Sequence, residues 1–130
     1  MTRPPIICVD FDGTCVDHRY PDIGQDVPGA VEVLWNLSNA EAKIILWTCR
    51  SGIELEQAVK WFEGKGIKLF GVNENPQQKS WSTSPKAYAN FYIDDAALGA
   101  PLREIAGFAR KCVDWDAIRT LLVQRGDLEG

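Results

Sequence analysis

The chain has 130 residues, with 14 basic and 18 acidic side chains, a net charge of −4 and 45% apolar residues. That length is one domain, spanning residues 1–130, and an apolar share of this size with 10% aromatic residues excludes a disordered chain. No run of about 18 apolar residues is present, which excludes a membrane-spanning helix, and the acidic balance weighs against a nucleic-acid backbone as partner while leaving a small phosphorylated ligand open.

In chain order, apolar runs and helical patterns alternate. Met1 to Pro5 lead straight into Ile6-Ile7-Cys8-Val9 without the long apolar segment of a secretory signal, so none is expected. The later runs are Ile44-Ile45-Leu46-Trp47, a weaker Ile67-Lys68-Leu69-Phe70-Gly71-Val72, and Phe91-Tyr92-Ile93. Continuous rather than alternating runs suit strands buried on both faces of a parallel sheet.

Between them, Val27 to Leu37 places Ala30, Val31, Leu34 and Leu37 on one stripe, with Pro28 near the first turn. Ser51-Gly52-Ile53-Glu54 reads as a capping box ahead of Leu55, Ala58, Val59 and Phe62, with Gly64 and Gly66 as the stop. Trp35 and Trp61 read as packing residues. Near the end, Asp114 caps a helix carrying Ile118, Leu121 and Leu122, with Gly126 beyond it. This alternation predicts a doubly wound, Rossmann-like α/β fold with a mostly parallel sheet flanked by helices. The polar segment Asn73 to Asn90, with Pro76 and Pro85, resists assignment apart from a helix expected just before the last strand.

Cys8, Cys15, Cys49 and Cys112 form no C-x-x-C pair, and the lone His18 adds no zinc spacing. They read as free thiols of a reducing, cytoplasmic compartment, Cys8 as a small core residue. His18 reads as a surface histidine.

The chemistry lies where strands end. The first runs into Asp10-Phe11-Asp12-Gly13-Thr14, the second into Thr48-Cys49-Arg50, the last into Asp94-Asp95. Ligands of open α/β sheets bind outside the carboxyl ends of the strands, so parallel strands gather all three clusters at one edge. Clustered carboxylates repel unless a cation joins them, and an all-oxygen set suits Mg²⁺. Asp10 and Asp12, two apart, point the same way from an extended chain, one fit to attack phosphorus and the other to move protons. Gly13 permits a sharp turn, Thr48 offers a hydroxyl to a phosphate oxygen, and a loop lysine can neutralise the transferring group. Arg50 suits either a substrate contact or a salt bridge, and Trp81 reads as an exposed, ligand-facing aromatic.

With these residues in view, the chain resembles the haloacid dehalogenase superfamily of phosphatases and phosphotransferases. DFDGT after an apolar strand is similar to its first motif, the apolar strand ending in Thr48 to its second, Pro85-Lys86-Ala87 to its third and Ile93-Asp94-Asp95 to its fourth. The resemblance covers residues 6 to 95. It implies Asp10 as nucleophile and magnesium ligand, Asp12 as acid/base with its carbonyl on the metal, and Thr48 and Lys86 on the phosphoryl group. It also implies Asp94 as an acidic metal ligand with Asp95 beside it or reached through water, and strand order 5-4-1-2-3. Lys79 competes with Lys86, which is preferred as the residue at a helix start before Asp94. Cys15 stands where relatives usually carry a large aliphatic residue.

Neither the stretch from Asp12 to Val27 nor that from Arg50 to Ile67 holds a cap domain, so the chain resembles capless members. An open site can accept a small phosphorylated substrate or a phosphorylated macromolecule, or a second subunit of a homo-oligomer can cover it. The expected function is a Mg²⁺-dependent phosphomonoester hydrolase working through an aspartyl-phosphate. The rivals are a nucleotidase or polynucleotide-end phosphatase, with Trp81 stacking on a base, and a catalytically silent module that binds a phosphorylated ligand.

Overall fold

The computed structural model describes residues 3–130; Met1 and Thr2, the start of the segment read for a secretory signal, lie outside the described residues. Four strands form a parallel sheet: β1 (Ile6–Val9), β2 (Lys43–Leu46), β3 (Leu69–Val72) and β4 (Phe91–Ile93), in the order β3-β2-β1-β4. Helices α1 (Ala30–Asn39), α2 (Gly52–Gly64) and α3 (Trp115–Arg125) flank it. This is the expected Rossmann-like α/β arrangement.

The central strand β1 is buried almost throughout because both its faces are covered. Ile7 and Val9 face the main core with Phe11, Leu34, Leu37, Phe62 and Trp115, while Cys8 joins Ile45 and Ala87 on the other face. Cys8 is thus the core residue expected of it, and Cys15, fully buried in the main cluster, is packing as well.

Several local expectations need correction. The first helix begins at Ala30 rather than Val27, because Gly29 takes a left-handed conformation (φ 86°) at its start. Ser51 occupies the N-cap position of α2 with extended backbone, but its side chain makes no capping bond. Trp35 is 45% exposed and Leu121 48% exposed, so neither belongs to the buried stripe of its helix. Asp114 does cap α3, accepting from the N–H groups of Asp116 and Ala117, and Gly126 closes it at φ 88°.

The fifth strand of the implied order does not join the sheet. β5 (Leu102–Arg103) pairs instead with β6 (Cys112–Val113) as a separate antiparallel ribbon. Both residues of β5 are exposed, and so short a segment cannot cover the edge of β4. No helix forms between Asn73 and Asn90 either. Pro85 disfavours helical backbone at Ser84, and the buried Gln78 holds the loop open: its amide donates to the carbonyls of Ser84 (3.4 Å) and Lys86 (2.9 Å), and its oxygen accepts from the Tyr88 N–H (2.7 Å). Lys86 therefore sits in a loop, not at a helix start. No helix among the described residues is long and apolar enough to cross a membrane.

Candidate active site

Register builds the site. Val9 lies opposite Leu46 on one side and Ile93 on the other. One step further along three parallel strands stand Asp10, Trp47 and Asp94, still tied together: Asp10 N–H donates to the Ile93 carbonyl (3.0 Å) and Trp47 N–H to the Val9 carbonyl (2.9 Å). Parallel pairing thus delivers acidic residues from opposite ends of the sequence to one edge.

There Asp10, Asp94 and Asp95 each present a carboxylate oxygen within 4.8 Å of the others. The Thr14 hydroxyl donates to Asp10 Oδ2 (3.1 Å) and accepts from the Asp95 N–H (3.2 Å), locking the first and last acidic loops together. Gly13, at φ 86°, turns the chain so closely past His18 and the Asp95 carboxylate that a Cβ there would overlap both.

Burial, then a hydrogen bond shared with the Asp95 carboxyl, then the charges of Asp94 and Asp95 push Asp10 up to about 8, with Thr14 pulling the other way. Among the described residues no lysine or arginine forms an ion pair with Asp10, Asp94 or Asp95. Crowded carboxylates without a lysine or arginine partner, all offering oxygen, fit a hard divalent cation such as Mg²⁺.

The other expected residues are placed differently. Asp12 faces Arg50: Nε donates to Oδ2 and Nη2 to Oδ1, both at 2.8 Å. Arg50 is 2% exposed and spends its remaining N–H groups on the carbonyls of Pro21, Asp22 and Glu54. Of the two uses open to Arg50, the structure has the salt bridge, made with Asp12. The Thr48 hydroxyl accepts from the Arg50 N–H (3.1 Å), while Asn73 Oδ1 accepts from the Thr48 N–H (2.8 Å). Lys79 lies 3.8 Å from Glu74, and neither it nor Lys86 contacts the aspartate trio as an ion pair among the described residues. Trp81 is exposed, edge-on to Tyr88, and lines a shallow cleft with Lys86 and Tyr92.

His18 is half-buried rather than fully exposed: its side chain is 13% exposed, with Nε2 3.3 Å from Asp95 Oδ2 and Nδ1 3.0 Å from Arg110 Nη2. The neighbouring Asp17 is buried and accepts from the N–H groups of His18 and Ala109. Burial raises its carboxyl, but these donors and Arg19 outweigh that and hold it below the usual range. Their closeness to the DFDGT turn was the only sequence signal for this pair, since Arg110 and Ala109 lie far along the chain.

Comparison with known proteins adds one relationship. A conserved protein coded by a locus of Bacteroides thetaiotaomicron has a solved structure that superposes with a TM-score of 0.75, at 32% identity, over 95% of this chain and 93% of that one. The chain belongs to that protein's family. No protein-family model and no curated protein matches the chain. The two chains share the fold over almost their full lengths.

Proposed function

We propose that the protein is a Mg²⁺-dependent phosphomonoester hydrolase of haloacid dehalogenase type, without a cap domain. The observation that carries this reading is the convergence of Asp10, Asp94 and Asp95 beyond the carboxyl ends of parallel strands. A bound Mg²⁺ would be held by these three carboxylates and the Asp12 carbonyl, and would supply charge neutralisation for the aspartates and the phosphoryl group. Asp10 attacks phosphorus through a carboxylate oxygen, forming an aspartyl-phosphate as the bond to the leaving oxygen breaks. Water then attacks that phosphorus, Asp12 takes its proton, and phosphate departs as the Asp10 carboxylate is restored. Thr14 and the Gly13 turn keep Asp10 aimed at the open edge. The buried thiols Cys8, Cys15 and Cys112 suit a reducing, cytoplasmic setting.

A nucleotide substrate is the second reading, favoured by Trp81, whose exposed ring stands beside Lys86 and could stack on a base. The test is phosphate release from phosphorylated metabolites with and without Mg²⁺, using Asp10→Asn as control. Activity abolished by EDTA and by that substitution is expected; full activity in Asp10→Asn would overturn the mechanism.

A further inference from the structure

β4 ends the sheet, and the ribbon of β5 and β6 does not pair with it. Along its uncovered side lies a groove of about 340 Å³, at the lower end of the range for small-molecule sites. The buried Ile93, Val113, Ile118 and Leu122 form its floor, and the exposed Leu98 and Leu121 stand at its rim. Two charged residues complete the wall, Asp94 and Arg125.

These two mark opposite ends of the groove. Arg125 lies 4.5 Å from the ring centre of Phe91, the first residue of β4. Asp94 directly follows the last residue of that strand, about 10 Å further along extended chain. Arg125 already has its counter-charge, because its Nε donates to Asp127 Oδ2 at 2.7 Å. Asp94 belongs to the carboxylate trio. One end of the groove is thus the acidic edge itself, and the other carries a charge that is already paired. The Trp81 cleft has none of Asp10, Asp94 and Asp95 in its wall. A charged body laid along β4 would give up hydration against apolar side chains, whereas an apolar one gains with each methylene that leaves water.

Resting on the phosphatase reading, we propose that this groove holds the apolar group of the substrate. The substrates are then phosphomonoesters with an uncharged alkyl body up to about 10 Å long, the phosphate at Asp10, Asp94 and Asp95 and the chain running along β4 toward Arg125.

The experiment measures kcat/KM with Mg²⁺ for ethyl, butyl and hexyl phosphate. A rise of at least about tenfold from ethyl to hexyl phosphate is expected, a fraction of what four fully buried methylenes would give; equal values overturn the proposal. Leu121→Glu sets a charge at the rim and should shrink the ratio of hexyl to ethyl at least about fivefold, whereas an unchanged ratio would place the chain elsewhere and overturn the proposal. Leu98→Glu replaces that variant if it does not fold. A flat series together with a dimer in solution that Leu121→Glu disperses would make the groove an interface between copies of the chain, and would also overturn it. Release from none of the three esters would defeat the phosphatase reading. The groove is then judged by calorimetry: at least about tenfold tighter binding of hexyl than of ethyl phosphate supports it, and equal affinities overturn it.

Discussion

Trp115 donates its indole N–H to the main-chain carbonyl of Thr14 at 2.7 Å, with both residues fully buried. Thr14 in turn bonds Asp10 and Asp95, so the first residue of α3 braces the acidic loops from behind. Trp115→Phe keeps most of the packing but strands that carbonyl, and should cost about 1–3 kcal/mol. Trp115→Ala should cost about 3–5 kcal/mol. Urea unfolding of the two variants measures both values, and the milder one should also weaken Mg²⁺ binding.

The metal-free protein should lose stability as pH rises from 4 to 8. Asp10 stands at about 8 in the folded chain and near 4 when unfolded, so between those values the native state holds a proton that the unfolded state has released. The stabilisation is complete below the unfolded value and lost as pH passes the folded one. Its size is on the order of 2 kcal/mol once solvent screening at this open edge is discounted. Unfolding in EDTA across this range should show the slope, and Asp10→Asn should remove it. Mg²⁺ should reverse it, because binding requires the ionised carboxylate.

Asp17 acts with the opposite sign. Its carboxyl lies below the usual range, so its contribution is present above about pH 4 and is lost as pH falls through the folded value. Asp17→Ala would leave the N–H groups of His18 and Ala109 without their acceptor, at a cost of about 1–3 kcal/mol by thermal or urea unfolding at neutral pH.

Gln78→Leu should loosen the loop from 79 to 86 more than the rest of the molecule. Three main-chain groups lose their partner, and about 1–3 kcal/mol goes with them. Limited proteolysis should cut this variant first within that loop, while the wild type resists.

The sheet was legible because Ile6–Val9, Ile44–Trp47 and Phe91–Ile93 are unbroken apolar runs, the pattern of strands in a parallel sheet. The acidic edge was legible for the same reason: each cluster follows directly on a strand. What escaped were links between segments far apart in the chain. Arg50 beside Asp12 and Arg110 beside His18 depend on how loops fold over the edge, and charge alone does not say which carboxylate or ring an arginine meets. Gln78 was equally hidden, since one buried amide replaces the helix expected before β4. The missing fifth strand follows from β5 being too short and exposed to cover β4.

Calorimetric titration of Mg²⁺ into the metal-free protein at pH 7.5 tests most directly whether Asp10, Asp94 and Asp95 form a divalent-cation site. One ion per chain is expected in the wild type, with affinity lowered at least about tenfold, or about 1.4 kcal/mol, by Asp94→Asn. No binding at millimolar Mg²⁺, or equal affinity in the wild type and Asp94→Asn, would contradict it.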